Sequence, residues 1–217
     1  MGKVAYTIVL NEKSRAFCLR HGFDKVVTLP LMLERNQDAP IGIKSSIEKA
    51  IYVGGIIPSK GPNTIIEAAK SYPEIEFELL GEIGPGVNVD SAPANVKFSG
   101  PQAKKDVFKK LSGADLFVFV GNFQSEGFSN SLMEAMSVGL PCIVSDWASN
   151  PDMIEVDKGG VVIAPQSAAE LVNAIEFLQA PSVREQMSTF NHNKVRTQYA
   201  YESITAQYTD LYNKLTS

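Results

Sequence analysis

Residues 115–144 read DLFVFVGNFQSEGFSNSLMEAMSVGLPCIV, and the class of fold follows from how this stretch changes character along its length. Leu116 to Val120 is an unbroken apolar run of strand length, and Gly121 opens a polar loop. A helix is expected to begin near Ser129 to Ser131. After Met136, Gly139 can take the left-handed conformation that ends a helix, and Pro141 cannot continue one, so the chain enters a second apolar run, Pro141–Val144. The pattern is a strand, a crossover helix and a strand.

The same rhythm extends in both directions. Ile51–Gly54, Ile75–Leu80, Val96–Ser99 and Val161–Ile163 are further short apolar runs, separated by segments that mostly carry helical periodicity. Alternating strands and helices imply a mostly parallel sheet with helices on both faces, because parallel neighbours need a long right-handed return. The expected fold is α/β, a Rossmann-like doubly wound sheet of about six strands. One helix is expected over Thr64–Tyr72, with Pro62 near its start and Pro73 stopping it. Residues 1–33 read as a smaller unit: a strand at Val4–Leu10, a helix from Asn11 to about Arg20 closed by Gly22, and a strand at Val26–Leu29. Glu34–Ser46 reads as a linker. Tyr201, Ile204, Tyr208, Leu211 and Leu215 recur at helical spacing and predict a final amphipathic helix that needs a surface to lie on.

Composition excludes several classes of function. The 217 residues carry a formal charge of −4, and the lysines and arginines are scattered, so no footprint for nucleic acid is present. No apolar run approaches the roughly 20 residues of a membrane helix. Met1–Leu10 does not read as a signal peptide, which makes a cytoplasmic location the expectation. Cys18 and Cys142 both lie in apolar stretches and are expected to be buried and unpaired. His21 and His192 have no Cys or His at ligand spacing beside them, and the chain has no Asp-x-Asp pair with which to hold a divalent cation on a diphosphate. No metal site is expected.

Ligands of open parallel sheets sit outside the carboxyl ends of the strands. Four loops there are unusual: Gly54 to Gly61, which includes Gly55 and Lys60; Gly81 to Gly86; Gly100-Pro101; and Gly121 to Ser131. Lys60 at a helix start is a candidate phosphate ligand, or else a solvated lysine beside a tight turn. In the fourth loop, a helix starting near Ser129 aims free N–H groups at the sheet edge, and Glu126 and Glu134 flank that position. Paired carboxylates suit sugar hydroxyls, each accepting two hydrogen bonds. Ser131-x-x-Glu134 also matches a capping box, which would explain Glu134 without a ligand.

Glu126-Gly127-Phe128, Leu132-x-Glu134-Ala135-Met136 and Gly139-Leu140-Pro141 resemble the E-x7-E signature of retaining GT-B-fold glycosyltransferases of family 4, also called group 1. Lys60-Gly61 before Ile66-Glu67-Ala68 is similar to that family's phosphate loop. Val96 to Gly100 and Asp115 to Val118 are similar to two of its strands, and the resemblance covers roughly residues 47–215. It implies that Lys60 neutralises the diphosphate and that Glu126 contacts the donor sugar, these two being the catalytic assignments. Glu134 would contact the ribose. Backbone at Gly54, Gly55, Gly81, Gly127, Phe128, Asn130, Ser131 and Leu132 would hold sugar and phosphates, with the base near Phe98 and Gly100. No metal, cofactor or protein nucleophile is implied; the substrate is a nucleotide-diphosphate sugar carrying a hexose. The implied domains are 1–46, the end of an acceptor domain plus linker; 47–200, the donor-binding domain; and 201–217, the final helix.

Two departures stand out. The family's arginine five residues before the lysine is Gly55 here, so one phosphate cation is missing. An acceptor-binding half, on the same chain or a partner, is also missing and could hold the protein peripherally at a membrane. A nucleotide-sugar-binding module without turnover is the alternative, and a GT-B-fold sugar epimerase a more distant one.

Overall fold

The computed structural model describes residues 6–33, 40, 42–122 and 127–216. Six strands form one parallel sheet in the order β5-β4-β3-β6-β7-β8: β3 (Lys49–Val53), β4 (Glu76–Leu80), β5 (Val96–Phe98), β6 (Leu116–Phe119), β7 (Cys142–Ser145) and β8 (Gly160–Ile163). These are the six apolar runs, shifted by a residue or two. Side chains of β6 and β7 are buried throughout, as in a parallel sheet covered on both faces. Phe117, for one, is fully buried, which contributes about 1.5–3 kcal/mol.

Helices cover both faces. α2 (Pro62–Ala69) packs on α6 (Ala168–Phe177), while α4 (Asn130–Ser137) packs on α3 (Lys104–Ser112), α5 (Asn150–Ile154) and α7 (Pro181–Gln198). α2 ends at Ala69, before the Tyr72 expected from the position of Pro73, because residues 70–72 close it with tighter turns. Gly139 adopts φ 83° just past α4 and supplies the left-handed stop.

The N-terminal unit is a two-stranded parallel sheet of β1 (Thr7–Val9) and β2 (Val26–Thr28) joined by α1 (Glu12–Arg20). α1 buries no residue, so Cys18 is partly exposed rather than buried; Cys142 is buried as expected. Of the expected linker, residues 34–39 and 41 lie outside the described residues. Its end is pinned: the fully buried Arg184 of α7 donates to the carbonyls of Lys44 (3.0 Å) and Ser45 (3.3 Å). The final helix, α8 (Tyr201–Thr216), only partly finds a surface. Ile204 and Leu211 are buried, whereas Tyr201 and Leu215 are exposed. A parallel bridge from Leu33 to Ala200 joins the start of α8 to the end of the N-terminal unit.

Candidate functional site

β3 and β6 are neighbours, but the chain leaves them toward opposite sides of the sheet, to β4 and to β7. Such a switch point opens a crevice at the carboxyl edge. Here the two departing loops touch backbone to backbone. Gly61, at φ 85°, lies so close that a Cβ on it would meet the Val120 carbonyl carbon at 2.9 Å. A Cβ on Gly121 would meet the Lys60 Cα at 2.4 Å. The Asn122 N–H donates to Ser59 O at 2.7 Å. Gln166, beyond β8, crosses the same point: its N–H donates to Val120 O (3.0 Å) and its carboxamide to Pro58 O (3.2 Å). The backbone of Lys60, at the end of a short 3₁₀ turn (Pro58–Lys60), is therefore fixed against the carboxyl end of β6.

The other glycine loops lie along the same edge. A Cβ on Gly81 would sit 1.8 Å from Gly54 O, and the Gly81 N–H donates to Gly100 O at 3.1 Å. Close approach of the β3 and β4 ends thus accounts for glycine at position 81 without any ligand. Gly55 differs, because it is exposed and nothing lies within 4 Å of where its Cβ would be. Phe98, at the end of β5, is half-buried against the core.

At the fourth loop Glu126 lies outside the described residues. Gly127, Phe128 and α4 follow. Ser129 is the N-cap, its hydroxyl accepting the Leu132 N–H at 3.3 Å. The capping box at Ser131 and Glu134 is therefore not formed, and the Leu132 amide is already engaged. Asn130 and Ser131 carry first-turn N–H groups that no intrahelical carbonyl reaches. The Phe128 ring is buried and meets the Tyr199 ring edge-on, 5.5 Å between centroids, so only its backbone can face a ligand.

Glu134, one turn into α4, lines a cleft of about 270 Å³ with Asn130, Lys104, Leu33 and Tyr201. Burial raises its carboxyl above the usual range, partly opposed by the Lys104 charge. Lys60 is not among the residues lining that cleft. Lys104, Ser149 and Asn11 line or brace the region and were not singled out from sequence as site residues. Ser129, expected from sequence near the helix start, is its N-cap. Among the described residues, no group of three or more His, Cys, Asp or Glu could hold a metal ion, and no helix is long and apolar enough to cross a membrane.

Residues 34–194 match the family described as "Glycosyl transferases group 1". The chain is 23% identical over 184 residues to spore coat protein SA of Bacillus subtilis (strain 168), covering 76% of this chain and 48% of that protein. It is 24% identical over 215 residues to the UDP-Gal:alpha-D-GlcNAc-diphosphoundecaprenol alpha-1,3-galactosyltransferase of Escherichia coli, covering 87% and 54%. It therefore spans about half the length of these curated relatives. Its fold also matches Anabaena Alr3699/HepE in complex with UDP and glucose, with a TM-score of 0.81 at 16% identity, covering 97% of this chain and 63% of that one.

Proposed function

The chain belongs to the glycosyl transferases group 1 family, with the fold of a GT-B donor domain, and from that premise we propose that it is the donor-binding half of a retaining glycosyltransferase. It would move a hexose from a nucleotide-diphosphate sugar to an acceptor, in polysaccharide or glycoconjugate synthesis. The observation that carries this reading is the switch point, where the loop ending in Lys60 is locked to the end of the strand that leads to α4. In the proposed complex the diphosphate lies between the Lys60 ammonium and the Asn130 and Ser131 N–H groups. Both favour the charge that builds on the leaving group, which is how such sites lower a barrier. Glu134 accepts the ribose hydroxyls, the base lies along Phe98 to Gly100, and Glu126 is assigned to the donor sugar. The reading uses no metal and no protein nucleophile.

The E. coli relative's name specifies UDP-Gal, and the Anabaena structure holds UDP and glucose, so a UDP-hexose is the first donor to test. Acceptor recognition is assigned to a second half, in a longer chain or on a partner. Residues 1–46 are read as the end of that half, 47–200 as the donor domain and 201–217 as a helix returning to the first. The exposed apolar side chains of the N-terminal unit, Ile8, Phe17, Leu19 and Phe23, support this assignment.

Calorimetry against UDP-, GDP- and ADP-sugars tests the reading. One nucleotide should bind, and Lys60→Ala should weaken it roughly tenfold or more, as expected for a lost charge-assisted contact. No binding at about millimolar concentration, where only some 4 kcal/mol of affinity is required, would end it. Gly55 favours a second reading, a binding module without turnover. Nothing lies within 4 Å of where a Cβ would be, and Gly55→Arg should tighten UDP binding if the phosphate site is intact. No gain would mark the site as vestigial.

A further inference from the structure

A carboxamide joins the N-terminal unit to the loop before α4. Asn11 is only 7% exposed and caps α1. Its Oδ1 accepts the Ser14 N–H at 2.7 Å, and its Nδ2 donates to the carbonyl of Gly127 at 2.8 Å. An amide oxygen only accepts and an amide nitrogen only donates, so these two partners fix which way round the group sits. The Ser149 hydroxyl, from the loop between β7 and α5, donates to the same Gly127 carbonyl at 2.8 Å. Both lone pairs of that oxygen are then used. Ser149 follows Ala148, which is held at φ 52°, a conformation alanine rarely adopts.

What these two donors hold is a peptide plane. The Gly127 carbonyl and the Phe128 N–H belong to one trans peptide unit and point in opposite directions. With the carbonyl turned toward Asn11 and Ser149, the Phe128 N–H is turned away from both. Two residues later α4 begins with its unreached amides. Gly127 would not keep this orientation unaided, since it has the widest backbone freedom and nothing lies within 4 Å of where its Cβ would be.

We propose that Asn11 is a positioning residue for the donor site: together with Ser149 it fixes the 127–128 peptide plane and ties the placement of the N-terminal unit to the amides at the start of α4. The proposal rests on the donor-binding reading above. Among the described residues, the Lys13–Asp146 ion pair at 3.8 Å is exposed on both sides and contributes little, and the Leu33 N–H to Tyr199 O bond holds the end of the unit to α7, so Asn11 is the described hydrogen-bonding link to the loop before α4. Because coupling is reciprocal, nucleotide binding should also favour the docked N-terminal unit.

Three substitutions in the whole chain separate this role from helix capping. Asn11→Ser keeps a capping hydroxyl for Ser14 but is too short to reach Gly127 as well. Asn11→Asp keeps the cap and sets an acceptor against the carbonyl. Ser149→Ala removes the second donor. Amide hydrogen exchange at residues 127–131 in the ligand-free protein and UDP affinity by calorimetry are the readouts. Asn11→Ser should speed exchange there and weaken UDP binding about two- to tenfold, the worth of one hydrogen bond, with exchange inside α1 unchanged. Asn11→Asp combined with Ser149→Ala should show larger effects on both. Wild-type exchange and wild-type UDP affinity in that double variant would overturn the proposal. If the wild-type chain binds none of UDP, GDP and ADP, the donor reading fails; the ligand-free exchange rates then decide by themselves whether Asn11 sets the peptide plane.

Discussion

Gly121→Ala adds one methyl group at the switch point, and the surrounding atoms set its effect. The new Cβ would lie 2.4 Å from the Lys60 Cα, 2.5 Å from Ser59 O and 2.6 Å from the Lys60 carbonyl carbon. Ordinary carbon contacts are about 3.5–4.0 Å, so the two loops must part by roughly 1 Å or more. All three atoms are backbone, and no rotamer change can relieve the clash. Overpacking of this kind costs about 1–3 kcal/mol. In a chain of this size each kcal/mol lowers the melting midpoint by roughly 2–4 °C, which gives a drop of about 2–12 °C. Separation also strains the 2.7 Å bond from the Asn122 N–H to Ser59 O and moves Lys60 away from the helix amides. A 1 Å misplacement can cost about 100-fold in catalysis, so UDP affinity should fall along with stability. Gly55→Ala is the control. Its methyl enters open space, and its effect should stay within about 1 kcal/mol. Thermal melts and UDP calorimetry on both variants are the assay. A Gly121→Ala protein melting within about 1 °C of wild type, with unchanged UDP affinity, would refute the account of the switch point.

Other consequences follow from charge and burial. In the proposed complex Glu134 acts in its ionised form, and burial raises its carboxyl, so UDP affinity should weaken as pH falls at values above the ordinary carboxylate range. Glu134→Gln should bind more weakly at neutral pH and lose that dependence, read as dissociation constants from pH 5 to 8. Glu78 behaves in the opposite sense: burial alone would raise its carboxyl, but hydrogen bonds from Lys110, Lys49 and Ser99 hold it down to about 2. Its stabilisation is therefore complete above about 4.5, the ordinary value, and is lost as pH falls toward 2. Glu78→Gln should lower neutral stability by about 1–3 kcal/mol and flatten the urea midpoint across that window; an unchanged acid profile would count against it. Asn191 is fully buried and donates to Leu140 O at 2.8 Å and Gly159 O at 2.7 Å. Asn191→Ala should cost about 2–4 kcal/mol in denaturant melts and leave UDP affinity alone, since both carbonyls lie just before the amino ends of β7 and β8, across the sheet from the switch point.

The sequence by itself determined the sheet. Strands buried on both faces must be apolar along their whole length, and glycine and proline mark where helices stop, so the six strands and the stop at Gly139 could be read from local pattern. It also identified the four glycine loops and the helix that starts near Ser129, because backbone conformation there depends on neighbours in the chain. What only the tertiary structure decided depends on partners far apart in sequence. α7 buries Arg184, Asn191, His192 and Lys194, each against a backbone carbonyl supplied from elsewhere in the chain, and no local pattern encodes such partners. Two of the five residues of the expected stripe on α8, Tyr201 and Leu215, stay exposed for the converse reason, that nothing described covers them. Ser131 and Glu134 have capping-box spacing, yet Ser129 won the cap, a competition settled by where the loop enters the helix. Asn11 meets Gly127 across 116 residues, and no periodicity in the chain encodes such a contact, because its existence depends on how two segments distant in sequence lie against each other.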